Sequence, residues 1–443
     1  QRNPKIIQTT DGGYLISGDS NSDIAGNKTE NSYGYSDLWI IRLDSTGNIL
    51  WDRTLGGNSY DYYPTAIQTT DGGFLIGGTS SSVISGNKTE NYVGYGPFVF
   101  EPNEDYWIIK LNDSGTIEWQ NTIGGNSTDV LRDMLNTPDG GYLLGGISYS
   151  MASGDKTEDS RGFSDYWVVK LDNLGNVTWD KTIGGARPEN LNAFEITNDG
   201  YLLAGTSSSP ISGDKTEAPL AVGYEDFWIQ KLDFSGNLLW QKVIGGLGND
   251  FLEDVVVDNN GNFLLGGFSN SDISYNKTEN SRGLDDFWVV KINSDGTVLW
   301  DKTIGGSQYD GVSSLAYSHN DDSFVIGGAS RSSISGDKTE FSRGLIDYWV
   351  VKLISESLTT NNFNDTLISA HPNPTTNTVH IVLPKVYKNI DITISNVLGQ
   401  IIQKKKDTNT SEIDIDLIGN NGIYFLNLIN ENKERITLKV IKK

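Results

Sequence analysis

The sequence predicts an all-β chain, a six-bladed β-propeller of four-stranded blades followed by a small Ig-like β-sandwich, and three observations carry that expectation. A three-residue word, Asp then an apolar residue then Trp, occurs six times: Asp37-Leu38-Trp39, Asp105-Tyr106-Trp107, Asp165-Tyr166-Trp167, Asp226-Phe227-Trp228, Asp286-Phe287-Trp288 and Asp347-Tyr348-Trp349, spaced by 68, 60, 61, 60 and 61 residues. Around each word the chain reads as four short strands. After residue 353 the repeat stops and a different strand pattern begins.

One unit reads in full over residues 122–179. Thr122-Ile123-Gly124-Gly125 leads through Asp129 to a first strand near 131–137, and Asp139-Gly140-Gly141 marks a hairpin turn. A second strand follows at 142–147, an excursion at 148–164, a third strand at 166–171, a turn at 172–175 and a fourth strand at 176–182. Third strands such as Trp39-Ile40-Ile41-Arg42-Leu43 are apolar nearly throughout, as expected of sheets covered on both faces. A solenoid is the rival architecture, but its coils are shorter and more even. All 11 Trp occupy two places per unit, the six words and the fourth-strand ends at Trp51, Trp119, Trp179, Trp240 and Trp300. Packing against the neighbouring blade accounts for such fixed positions better than a ring of sugar-stacking indoles. The fourth-strand pattern has five copies, which gives 23 strands. Residues upstream of Gln1, which opens inside a repeat, are expected to supply the missing strand and a signal peptide.

The chain has 443 residues, no cysteine and 50 glycines. Its size allows more than one domain, and the missing cysteine excludes disulfides, thiolate metal sites and a Cys nucleophile. The net charge is −23, yet residues 370–443 hold ten Lys/Arg and seven Asp/Glu, so residues 1–369 carry −26. An acidic surface of that size excludes nucleic acid as a partner, since phosphate binding needs the opposite sign. No run of 18 apolar residues exists, so the chain is not expected to be an integral membrane protein.

Residues 43–51, Leu-Asp-Ser-Thr-Gly-Asn-Ile-Leu-Trp, resemble the repeat of quinoprotein-type propellers. The whole unit is similar to the roughly 60-residue propeller repeats of secreted bacterial proteins. That resemblance covers residues 1–353 and implies fold rather than activity, because propellers host many functions.

Residues 354–369 are polar and lack the repeat, and read as a linker. Residues 370–443 then show alternating runs at 379–382, 390–394, 413–417, 424–428 and 436–441, the pattern of a small sandwich. Three ordered words go further: His371-Pro372-Asn373-Pro374-Thr375, then Ile394-Ser395-Asn396-Val397-Leu398-Gly399-Gln400, then Gly422-Ile423-Tyr424-Phe425-Leu426, before the closing Lys439-Val440-Ile441-Lys442-Lys443. They resemble the type A C-terminal sorting domain of the type IX secretion system of Bacteroidetes, with His371 where that family has Tyr or Phe. The resemblance implies sorting-signal roles for Pro372, Asn373, Pro374, Gly399, Gln400, Gly422, Tyr424, Lys442 and Lys443. It also implies a signal peptide, removed at the inner membrane, and exit through an outer-membrane translocon. A β-barrel shuttle protein would bind the domain. A surface sortase or protease would cut the linker and release the cargo or join it to lipopolysaccharide.

Lys-Thr-Glu recurs in every excursion, from Lys28-Thr29-Glu30 to Lys338-Thr339-Glu340. Calcium is one reading, with Asp155, Glu158 and Asp165 as oxygen ligands. The adjacent Lys favours a clasp instead, with Lys paired to an acid and Thr and Glu capping turn N–H groups. No cofactor is expected. The only histidine before the tail is His319, which leaves no His triad or His-ligated zinc site. Acids sit mostly at repeated positions such as Asp61, Asp129, Glu189, Asp250 and Asp310, whereas an active site breaks symmetry. Symmetry breaks in two loops. The second unit carries eight extra residues within 92–104, where Tyr92, Tyr95, Phe98 and Phe100 are the candidate ligand-binding residues, stiffened by Pro97 and Pro102. The fourth carries Ala218-Pro219-Leu220-Ala221-Val222-Gly223-Tyr224. The expected function is that of a secreted or surface-displayed cargo whose propeller, not an enzyme, binds a glycan or protein as an adhesin. The alternatives are an extracellular polysaccharide-degrading enzyme and an accessory of surface gliding machinery.

Overall fold

The computed structural model describes residues 2–94, 103–354, 368–396, 400–431 and 435–443. It divides into two compact units, Gln1–Ile354 and Ser355–Lys443. Among the described residues there is no helix.

Among the described residues the first unit is six antiparallel sheets in chain order, five with four strands and the sixth with three. In the third repeat the strands are Asp129–Asn136, Tyr142–Ser148, Asp165–Leu171 and Val177–Ile183, each within two residues of its expected bounds. Turn chemistry sets the hairpins. Asp139 Oδ1 accepts from Thr137 Oγ1 at 2.5 Å and from the Gly141 N–H at 3.2 Å, and Gly140 takes φ +85°, where a side chain is strained. The outer hairpin repeats the device, with Asp172 Oδ1 accepting the N–H groups of Leu174 and Asn176, each at 2.9 Å.

The first strand of each sheet lies against the first strand of the next, so these strands line the axis. Every one carries a register shift opposite its second strand, which increases local twist. Both Trp positions dock on a neighbour. Trp167 is fully buried with its ring 5.0 Å from Tyr106 of the preceding unit. Trp119, half-buried, lies over the outer hairpin of the following unit, where a Cβ on Gly175 would meet the indole at 2.6 Å. That hairpin needs glycine twice over, for its φ of +86° and for the approaching ring.

The sixth sheet consists of Asp310–Ser318, Ser323–Ser330 and Asp347–Ile354. The second compact unit is a sandwich of a three-stranded and a four-stranded sheet around a core that includes Val379, Ile392, Ile415 and Leu426.

Candidate functional site

Each excursion joins the second strand of its sheet to the third, so all six leave the sheets from the same end. In the first five repeats the Lys-Thr-Glu word ties the excursion down onto its own fourth strand. In the third repeat Lys156 Nζ donates to Thr182 Oγ1 at 2.6 Å. Thr157 donates its N–H (3.0 Å) and hydroxyl (2.6 Å) to Asp180, whose Oδ2 also accepts the Trp167 indole N–H at 3.0 Å. In the second repeat Glu90 accepts the Thr122 N–H at 2.7 Å. The lysine therefore meets a hydroxyl where an acid was expected, and it lies over an indole face, 4.9 Å for Lys88 above Trp107. Burial pushes the Lys88 and Lys277 ammonium groups down to about 8.

The three calcium candidates are engaged by backbone N–H groups and an arginine. Asp155 Oδ2 accepts the Gly124 N–H at 3.1 Å, Glu158 pairs with Arg161 at 2.9 Å, and Asp165 Oδ2 accepts the Arg161 N–H at 2.5 Å. Among the described residues no group of three or more His, Asp or Glu side chains is placed to hold a metal. The repeated acids cap the Gly-Gly turns: Asp129 accepts from the Gly125 N–H at 2.7 Å and Glu189 from the Gly185 N–H at 2.9 Å. Burial pushes Glu189 up to about 7, with Asp165 facing it across the seam.

The ends of the excursions are apolar. Two residues before the aspartate of the word stands an exposed Tyr35, Phe163, Tyr224, Leu284 or Leu345, with Phe163 75% and Leu345 91% accessible. The second repeat has Asn103 there instead, buried and donating to the Val93 carbonyl at 2.9 Å. A second exposed position is Ile24, Ile84, Ile211, Ile273 or Ile334. In the fourth repeat, Ile211, Pro219 and Val222 line an open groove of about 390 Å³ with Arg187 at its edge. Of the expected aromatic cluster, Tyr92 is half-buried. Tyr95, Phe98 and Phe100, with Pro97 and Pro102, lie outside the described residues.

The axial strands bring together acids that sequence reading passed over. Asp254 accepts the Leu315 N–H of the following repeat at 2.6 Å. Burial first, then the neighbouring Asp133 and Asp254, push Glu195 up to about 8. Burial and Asp254 push Glu253 to about 7. Lys5 Nζ donates to the Arg132 carbonyl at 3.2 Å among them.

In the tail, words far apart in sequence meet. Asn373 donates its amide to the Lys439 carbonyl at 2.8 Å and accepts the Ile441 N–H at 2.9 Å. Pro372 and Pro374 both follow cis peptide bonds, and the Thr375 carbonyl accepts the Lys443 N–H at 2.8 Å. Lys442 Nζ donates to the carbonyls of Leu417 (2.6 Å) and Gly419 (3.0 Å). The Tyr424 hydroxyl donates to the Asn420 carbonyl at 2.6 Å, Gln400 pairs with Asn396, and Gly422 opens the strand that pairs with the last one. Gly399 lies outside the described residues. Residues 369–443 match the model of the secretion system C-terminal sorting domain. The tail is a sorting domain. The chain is accordingly type IX secretion cargo, exported to the cell surface or medium, and its sorting domain engages that secretion system.

No curated protein matches the sequence. Among solved structures the chain is similar to Kuenenia stuttgartiensis hydrazine synthase at 12% identity and a TM-score of 0.43, covering 74% of this chain and 76% of that one. A mutant of Synechocystis apocarotenoid oxygenase aligns at 10% and 0.39, covering 99% and 92%. Endo-1,5-alpha-L-arabinanase from Thermotoga petrophila aligns at 10% and 0.29, covering 99% and 95%. Likenesses at these scores carry no weight for activity, and the propeller rests on the sheets and seams described above.

Two features of the site escaped sequence reading. Tyr35, Phe163, Leu284 and Leu345 sit at repeated positions, which read as architecture, whereas Tyr224 falls in the symmetry-breaking loop of the fourth repeat. The acceptors Asp52, Gln120, Asp180, Gln241 and Asp301 each follow a fourth-strand Trp, a regularity visible in the sequence that could have revealed the clasp.

Proposed function

We propose that the propeller is a binding module worn outside the cell, with the excursion end as its ligand face and an extracellular glycan or surface protein as its ligand. The observation that carries this reading is the exposed apolar residue two positions before the word in five of six repeats. A side chain selected for packing would be buried, and large exposed apolar patches mark interaction surfaces. Repetition around a ring suits a ligand that is itself repetitive, because several weak contacts then act together. A β-barrel shuttle recognising residues 370–443 and a surface protease cutting within 354–369 would complete the route of delivery.

A second reading, hydrolysis of extracellular polysaccharide, draws on the acids of the axial strands. Glycoside hydrolysis needs a carboxyl held protonated beside an ionised one, and Glu195 and Glu253 are both pushed up toward neutral pH there. A glycan array read for both retention and released reducing ends separates the two. Retention without turnover is the expected result. Turnover that disappears in Glu195→Gln would replace the binding module with the enzyme.

A further inference from the structure

The five seams between successive repeats follow one rule. The residue before each Trp of the word enters the seam and meets the Trp of the next repeat: Tyr106 on Trp167 at 5.0 Å between ring centroids, Tyr166 on Trp228 at 5.2 Å, Phe227 on Trp288 at 4.9 Å and Phe287 on Trp349 at 5.0 Å. Leu38 takes the same place against the second repeat, in one buried cluster with Trp107. Second-strand glycines seat the next repeat's first strand. A Cβ on Gly145 would stand 2.6 Å from Phe194, and one on Gly266 would stand 2.8 Å from Leu315.

On the outer face of the sixth repeat both halves of the rule are unfilled. Tyr348 is 94% accessible where Tyr106, Tyr166, Phe227 and Phe287 are fully buried. A Cβ on Gly327 would find only the Ser314 carbonyl of its own sheet, at 3.9 Å. Val350 and Ile354 on the same face are exposed as well, and among the described residues Asp347–Ile354 has no strand on its outer side. The first repeat shows the complementary half. Trp39 and Ile41 are half-buried where Trp167 and Val169 are wholly buried.

We propose that these two faces take one further four-stranded unit of this repeat, seated between the sixth repeat and the first. The five completed seams define what fits. The unit presents a Trp to the Tyr348 ring and an apolar first-strand side chain to the Gly327 seat, and on its far side an aromatic or aliphatic residue before its own Trp covers Trp39. The open face is a continuation of the internal interface, and sequence that fills it obeys the same word.

Hydroxyl-radical footprinting tests this on the 443-residue chain and on a chain with residues 250–309 fused directly ahead of residue 1. In the first, Tyr348 and Trp39 are expected to react readily while Tyr166 and Trp167 stay protected. In the second, Tyr348 and Trp39 fall to the protected level at monomeric mass, and the melting temperature rises. Tyr348→Ser gives a readout independent of the fusion, lowering the melting temperature of the 443-residue chain far less than Tyr166→Ser does. Protection of both residues in the monomeric 443-residue chain would mean that the ring closes on itself and would overturn the proposal. So would protection that appears only with dimerisation, equal losses from the two Ser variants, or a folded fusion in which Tyr348 still reacts.

Discussion

The Tyr166 hydroxyl donates to the main-chain carbonyl of Trp228 at 3.1 Å, across the seam between the third and fourth repeats. Tyr106 makes the same bond to Trp167 at 3.2 Å. One residue of the word thus ties its repeat to the next while its neighbour, the Trp, receives the repeat before. Trp167→Ala is expected to cost about 3–5 kcal/mol, the range for truncating a large buried aromatic. Tyr166→Phe keeps the ring and loses one hydrogen bond, for about 0.5–1.5 kcal/mol. Urea denaturation of the two variants checks both values.

The clasp gives a sharper test, because two repeats supply the control. Asp180→Ala leaves the Trp167 indole N–H and two Thr157 donors without their acceptor, a loss of about 1–3 kcal/mol for the buried donor alone. Asp180→Gln is expected to be mild, since Gln241 accepts the Trp228 N–H at 3.0 Å and the Thr216 N–H at 3.1 Å in the fourth repeat. Limited proteolysis should cut the 149–164 excursion in the Ala variant and spare it in the Gln variant.

The seams make stability depend on pH in an unusual direction. Burial and the facing Asp129 push Asp105 up to about 8, and burial and Asp250 push Asp226 up to about 7, from an ordinary 3.8. Carboxyls with raised native pKa values favour the folded state fully below about pH 4 and lose that contribution as pH climbs to 7–8. Lys88 and Lys277, held down to about 8, favour folding again only as pH rises above 8. The melting temperature is expected to be higher at pH 5 than at pH 8.

Export depends on the tail. Removing residues 370–443 should trap the propeller inside the cell envelope, and fusing them to an unrelated folded passenger should export it. Asn373→Ala breaks both bonds to the last strand, so it should weaken delivery without touching the propeller. Fractionation of cells and medium reads each outcome.

Much of this was legible in the sequence for a physical reason. Each blade needs a tight turn and buried aromatics at set places, so the word in six repeats, the fourth-strand Trp in five and Asp-Gly-Gly in the first three showed the sheet number, and the strand bounds of the third repeat to within two residues. The tail was legible because its words are local. What stayed hidden depends on contacts between distant segments. The place of Asp180 after Trp179 marks it as a repeated acceptor but does not show that it serves both Trp167 and Thr157, and nothing near Glu195 shows that Asp133 and Asp254 crowd it. Exposure was equally hidden, because a repeated Phe163 or Leu284 reads like a core residue until the sheets are in place.

On the proposed function, the exported propeller binds through its excursion end. The direct measurement is retention of purified protein on extracellular polysaccharide and outer surface of the producing cells, comparing the wild type with a variant carrying Phe163→Ser, Tyr224→Ser, Leu284→Ser and Val222→Ser. These exposed positions should leave the melting temperature unchanged while retention falls well below that of the wild type. Retention equal to the wild type, with the fold intact, would contradict the assignment of the ligand face.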